Sequence, residues 1–508
     1  MSSCSFREKN VPDGEDAELI INENNTVFRF VAEEADTMLP VCNIPQSLAD
    51  ALACVYEPLY DFDESLNKIP VLATNCTRSG KYQYKVDLKD GVLWHDGSEF
   101  VATDVIYTVN ALKKGESVYS PAVSKITQVD VINRHKLLFT LSEPTVNFEG
   151  LLTFPIIKRN TPTDKYTEPV GTGPYKYKEK KNNTYIFEKN SDWHGGGASD
   201  KTINITLLKD KQSAVFAFEA NEADVISSSL IDLTQNTPKG KVSVQDYISK
   251  NLTFLGMNDS EGILSLPDMR KAVAYLIDKN KIIKSDVYGR GEAVDVPIYP
   301  KAWYFSDEFG NIEISGSTDY LERVLNDNDW YKKDGVYVKD FGGYETELTL
   351  SILVNSDNEE KTHISESIAA MLEENGIRVK IKAVPYERYL VKIKDKDFSM
   401  FLGEISMPQN MDPSDLVKSG DNYFSYSSGQ MDDIISRLTS VSEPEEVQSC
   451  YGEFFKLFSE DMPFVPLFFR KDSFVYNSKL SGFGMPDYFK TYRNIENWYF
   501  SQKVELNN

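Results

Sequence analysis

Histidine and cysteine are scarce in this chain of 508 residues, which has four of the first and five of the second. His95, His135, His194 and His363 match no metal-ligand spacing, no H-E-x-x-H occurs, and each is read as structural. There is no G-x-S-x-G elbow. Cys42, Cys54, Cys76 and Cys450 form no C-x-x-C pair and are read as buried thiols, with a disulfide among the first three left open by their spacing. Basic residues are also in deficit: 55 Lys and Arg against 78 Asp and Glu leave a net charge of −23. Such a surface repels nucleic acid and anionic membranes. No apolar run approaches the ~20 residues that a membrane span needs. The acidic pairs Glu359-Glu360 and Asp432-Asp433 read as solvated helix starts. The sequence therefore predicts no catalytic constellation, no metal and no resident cofactor, and an enzyme is disfavoured.

What is present is enough material for a large core. Hydrophobic residues make up 41% of the chain, and its length suits two or three domains. The most legible stretch runs from Pro70 to Lys114. Tyr82, Tyr84, Val86 and Leu88 alternate with polar residues, the period of a half-buried strand. Asp90-Gly91 and Asp96-Gly97 mark turns and predict a hairpin. From Thr103, taken as an N-cap, Val105, Ile106, Val109 and Leu112 share a helical face.

These residues carry a resemblance. V-Y-E-P-L-Y (Val55 to Tyr60), P-V-L-A (Pro70 to Ala73), G-V-x-W-H-D-G (Gly91 to Gly97) and A-T-D-V-I-Y (Ala102 to Tyr107) are followed by P-V-G-T-G-P-Y (Pro169 to Tyr175). M-R-K-A-V-A-Y-L-I-D-K-N-K-I (Met269 to Ile282) and M-P-F-V-P-L-F-F (Met462 to Phe469) complete the order. Together they resemble the extracellular solute-binding proteins of family 5, the oligopeptide-, dipeptide- and nickel-binding components of ABC importers. The resemblance implies an α/β, periplasmic-binding-protein-like fold of type II, cluster C: a two-lobed Venus flytrap with an extra subdomain in the first lobe. Lobe I would comprise residues 26–257 and 471–508, with the subdomain at about 66–158, and lobe II residues 258–470. The chain would cross near Asn258 and return near Arg470, forming a hinge.

Elsewhere the pattern is read locally. Val27 to Ala32 predicts a strand, Ser47 to Tyr56 a helix, and Ala122 to Leu141 two strands with Val129 and Val131 on a buried face. Ile203 to Ile226 reads as strand, helix, strand, a parallel pair with a right-handed crossover. Pro267 to Ile283 reads as one amphipathic helix. Leu348 to Ile405 alternates strands and helices, stopping a helix at Asn375-Gly376, which predicts an open parallel sheet covered on both faces. Ser442 and Glu445 have capping-box spacing before a long aromatic-rich helix.

Ligand is expected along Gly403 to Asp421, after a strand at the carboxyl edge of the second sheet. Peptide-binding relatives place Gly-Trp there, then an aspartate for the peptide's α-ammonium. Here Glu404 replaces the Trp and Met407, or a neighbour, the Asp. Leu39, Trp303, Tyr386, Tyr389, Glu404, Ile405, Ser406, Met407 and Tyr423 are the candidate ligand contacts, with Tyr304 beside them. Met1-Ser2-Ser3-Cys4 resembles the end of a lipobox, which predicts lipidation at Cys4 and a tether over residues 1–25. The implied protein is a monomeric lipoprotein on the outer face of the cell membrane or in the periplasm. It hands short peptides to an ABC permease and its ATPase and touches the membrane only through lipid. A nickel chelate, haem, an opine or a sugar is the alternative cargo, and a non-transport surface receptor the alternative role.

Overall fold

Residues 20–21, 26–228, 242–260, 262–306, 317–420 and 422–502 are described by the structure, a computed structural model. Cys4 lies outside them, as does most of the expected tether, although Ile20 and Ile21 pair with Gln502 and Ser501.

Strand β1 (Val27–Glu33) buries Phe28 and Phe30 on alternate positions, as period-2 patterning requires. It leads to the short helix α1 (Gln46–Ala51). The inserted subdomain follows as β2 (Ala73–Gly80), β3 (Gln83–Leu88), helix α2 (Ala102–Lys114), β4 (Ile126–Asn133) and β5 (Lys136–Leu141), forming a four-stranded sheet in the order β2-β3-β5-β4. Tyr84, Val86 and Leu88 are buried as predicted, but Tyr82 precedes the strand and is exposed. Val131 is exposed too, because β4 is an edge strand. Helix α2 begins one residue before Thr103, and Asp104 caps it by accepting from the Val101 amide at 2.8 Å.

The chain then forms β6 (Tyr175–Lys181), β7 (Thr184–Lys189), β8 (Thr202–Leu208), helix α3 (Lys211–Glu219) and β9 (Val225–Ser228). Strands β8 and β9 are parallel but not neighbours: each pairs with β1, which lies between them. Local patterning sees the crossover but not a strand contributed from far upstream. Strand β10 (Val242–Met257) then runs into the second lobe.

There the predicted single helix is two, α4 (Pro267–Leu276) and α5 (Lys279–Asp286). The break falls at Asp278, whose side chain accepts from the Lys281 amide at 2.9 Å and so starts a new helix. Next come β11 (Thr349–Asn355), α6 (Glu359–Glu374), β12 (Arg378–Val384), α7 (Tyr386–Lys394), β13 (Met400–Ser406), α8 (Gly429–Leu438), α9 (Pro444–Asp461) and β14 (Phe464–Asn477). Helix α6 ends at Asn375, and Gly376 has φ +91°, as its stop signal predicts. No capping box forms at α9, which starts with Pro444 in its first turn.

The lobes do not own separate sheets. One sheet runs β12-β11-β13-β10-β14-β9-β1-β8-β7-β6, with Gly291–Ala293 also pairing β14. Strand β11 is parallel to β12 and to β13, but β13 is antiparallel to β10, so the expected open parallel sheet is mixed. The first half of β10 pairs with Asn477 back to Lys471, the second half with Phe469 back to Phe464, and the register breaks between Ile248 and Leu252. Between the two paired halves, Ser249–Asn251 of β10 and Arg470 of β14 have no partner in this ladder.

Two sequence motifs meet in lobe I. His95 Nε2 donates to the Gly173 carbonyl at 3.0 Å, and its Nδ1 accepts from the Gly171 amide at 3.2 Å. Gly171 is required there, because a Cβ would lie 1.8 Å from the Val55 carbonyl oxygen. W-H-D-G and P-V-G-T-G-P-Y thus form one joint against the V-Y-E-P segment, and the histidine is structural.

Candidate ligand-binding cleft

Strands β11, β12 and β13 point the same way, so the segments after them gather along one edge. Open α/β sheets place their crevice outside such carboxyl ends. Glu404 lies on β13, Glu360 opens α6 after β11, and Tyr386 opens α7 after β12. Arg470, on the crossing strand β14, binds both acids: its Nε donates to Glu404 at 2.5 Å and its Nη groups to Glu360. Thr253 also donates to Glu404 at 3.2 Å. Burial raises the Glu404 carboxyl, but Arg470 and Lys361 more than offset it and the pKa is lowered. Glu404 is ionised and already paired. Glu360, which the sequence places at a solvated helix start, is the second arm of the same clamp.

The candidate contacts do not all reach this edge. Ile405 and Ser406 continue β13 opposite Leu252 and Asn251 of β10. Tyr386 and Tyr423 are about half exposed on lobe II. Tyr389 is mostly buried, with its hydroxyl on the Leu402 carbonyl at 2.8 Å. Leu39 and Met407 are 1% exposed and packed in the core, so neither offers its side chain to a ligand. Met407 is held there by its amide on the Lys250 carbonyl at 2.9 Å.

The rest of the expected ligand stretch is also taken up. Asn410 donates to Thr145 at 3.0 Å and to the Val146 carbonyl at 2.6 Å, and Asp412 accepts from Thr145 at 3.2 Å. All three residues are buried, so this part of the stretch is a junction between lobe II and the subdomain. Trp303 and Tyr304 line a cavity of about 670 Å³ beside that junction, with Phe62, Val146 and Tyr451, rather than the sheet edge.

On lobe I the sequence offered only Leu39, and the structure brings other residues forward. A cavity of about 140 Å³ lies against the crossing strands, lined by Glu33, Asp50, Lys211, Tyr247, Asp472 and Tyr492 among others. Asp472 is directly opposite Tyr247 in the β10–β14 ladder. An acid in a cross-strand pair on the shared strands is the only sequence signal that marks it.

Histidine–carboxylate contacts elsewhere are structural. His194 donates to Glu57 at 2.8 Å, joined there by Trp193 at 2.9 Å and Thr172 at 2.8 Å. His135 sets its two nitrogens against different carboxylates, Glu99 at 3.2 Å and Asp90 at 3.6 Å, and Glu99 is also paired with Arg134. Asp90, Glu99 and His135 lie near enough to one another to share a cation, although Arg134 already pairs with Glu99.

Fixed charges and tyrosines thus stand at the carboxyl edge in lobe II and around the lobe I cavity, with Arg470 and Asp472 on the strand between them. The chain belongs to the bacterial extracellular solute-binding proteins, family 5, whose middle-region model matches residues 68–425. It is 23% identical over 484 residues to the oligopeptide-binding protein AppA of Bacillus subtilis (strain 168), covering 90% of this chain and 89% of that one. It is also 23% identical to the nickel-binding periplasmic protein of Escherichia coli (strain K12), over 69% and 70% of the two chains. Among solved structures, the unliganded open form of the periplasmic murein tripeptide binding protein MppA superposes with a TM-score of 0.82, 16% identity and coverage of 97% and 99%. The fold is that of the two-lobed binding proteins. No helix among the described residues is long and apolar enough to cross a membrane.

Proposed function

We propose that this protein captures short peptides between its lobes and delivers them to an ABC permease, anchored outside the cell by lipid on Cys4. The observation that carries this reading is the placing of Glu404, Glu360 and Tyr386 on lobe II and of Asp50 and Tyr492 on lobe I, with Arg470 and Asp472 on a strand that joins them. A ligand touching both sides stabilises the closed arrangement by its differential affinity for it. A micromolar ligand supplies about 8 kcal/mol, enough to close a hinge that costs a few. Extended peptides fit such a crevice because backbone hydrogen bonds give affinity independent of sequence. The named functions of AppA and MppA support peptide cargo, and that of the nickel-binding relative keeps a metal chelate as the second reading.

Thermal-shift screening with a mixed di- to hexapeptide library is the direct test. Stabilisation by several degrees is expected, and no response to any peptide overturns the reading. A nickel–histidine arm separates the second reading. Cys4→Ser is expected to release the full-length protein from membranes into the medium.

A further inference from the structure

The cleft's charges divide unequally. On lobe II, two carboxylates share Arg470, with Lys361 close to Glu404. On lobe I, the 140 Å³ cavity has three carboxylates, Glu33, Asp50 and Asp472, against one ammonium, Lys211, a net of −2. Asp50 accepts from Gln46 at 2.7 Å and weakly from Thr491 at 3.4 Å, both neutral. Glu33 accepts from Ser47 at 3.3 Å. Neither Asp50 nor Asp472 forms an ion pair with any described residue.

A second observation is independent of the acids. Tyr492 lines the cavity and is 2% exposed, yet its hydroxyl has no hydrogen-bond partner among the described residues. The hydroxyl is not one of the polar atoms sealed in the core, as those of Tyr56 and Tyr60 are, and so is left for a partner in the cavity that Tyr492 lines. The neighbouring phenol of Tyr247, 8% exposed, is satisfied by Ser227 at 3.1 Å.

Resting on the reading of this cleft as the solute site, we infer that the cavity lined by Asp50, Asp472, Tyr247 and Tyr492 is the subsite for an ammonium group of the ligand. A compact alkylammonium matches the small volume and offers three donors to carboxylate and phenol oxygens. Its charge offsets the unpaired carboxylates, and tyrosine faces add attraction for a cation. The carboxyl pKa values of Asp50 and Asp472 are raised, in both cases first by burial, and at Asp472 this holds against the opposing pull of Arg470, Arg290 and Lys211. The ammonium comes either from a peptide's N-terminus or from a lysine side chain.

Calorimetric titration of the full chain separates these sources. The probes are a lysine-containing tripeptide, its norleucine counterpart, both peptides N-acetylated, and 1,4-diaminobutane as a peptide-free cation. Loss of affinity by tenfold or more is expected on removing the ammonium that is recognised, and the same loss for Asp472→Asn or Asp50→Asn with that ligand but not with its neutral analogue. Tyr492→Phe, which keeps the ring, is expected to weaken the ammonium ligand several-fold. Thermal unfolding of each variant reports whether it is folded. Equal affinity for ammonium and neutral probes, unchanged preference in both Asp→Asn variants, or binding of no probe at all overturns the subsite. Peptides that bind without ammonium preference leave the peptide reading standing and remove this one. Diaminobutane binding that needs Asp472, with no peptide bound, does the reverse.

Discussion

Two residues show how differently charge is used in this molecule. Arg270, on the first helix of lobe II, has a side chain only 4% exposed. Its guanidinium donates to the carbonyls of Met462 at 2.9 Å, Leu264 at 2.9 Å and Ser265 at 3.2 Å, and also to Asp461. It ties α4 to the end of α9, where Met462 adopts a left-handed conformation. Arg270→Ala leaves those carbonyls buried without donors and is expected to cost about 3 kcal/mol or more in urea unfolding. Asp50 is the opposite case, a carboxyl without a cation. Burial, reinforced by Asp472 and opposed by the Gln46 and Thr491 bonds, raises its pKa from 3.8 to about 6. A carboxyl whose folded value exceeds its unfolded value favours folding while protonated. That contribution is complete below about pH 3.8 and is lost as pH rises through about 6. Asp50→Asn is therefore expected to be more stable than the parent at pH 7 by about 1 kcal/mol, with the difference vanishing near pH 4. A difference that is constant with pH would refute it.

At the scale of elements, the long sheet has two open edges, and both are loaded with lysine. Strand β12 reads RVKIKAV and strand β6 reads YKYKEKK. Lys380 and Lys382 are exposed, and so is Ile381 between them. Charged edges discourage a second chain from adding a strand. Replacing Lys380 and Lys382 together with threonine is expected to leave unfolding unchanged within about 0.5 kcal/mol, while light scattering shows faster aggregation on warming. Periodicity alone makes these strands legible, because a strand's alternation is local. It does not disclose which side partner each strand has, and so β1 between β8 and β9 came only from the fold.

At the scale of the whole molecule, the lobes are linked by the shared strands and by the junction of Thr145, Val146, Asn410 and Asp412. At Gly150 a Cβ would lie 2.7 Å from the Asn410 backbone, so the subdomain loop and lobe II meet there without slack. A hinge between the lobes is then expected where the β10–β14 register breaks, between Ile248 and Leu252. Hydrogen exchange is expected to show faster exchange at Ser249–Asn251 than in either flank of β10, with protection on adding ligand. Gly150→Val should prise the junction apart and lower the unfolding midpoint by several degrees, consistent with overpacking costs of about 1–3 kcal/mol. A midpoint that does not move would show that the loop yields.

Ordered motifs and alternating apolar residues determined the family and most of the elements, because these rest on short-range pattern and on chain order. Glu404 was singled out by the resemblance, as the residue in place of the family's Trp, and it lies within strand β13 rather than after it. Only the tertiary structure decided that Arg470 pairs with it and is shared with Glu360, that Leu39 and Met407 are core, and that Asp50, Asp472 and Tyr492 converge. Those facts depend on residues far apart in the chain being brought within a few ångströms, and charge and burial have no meaning for binding until that has happened.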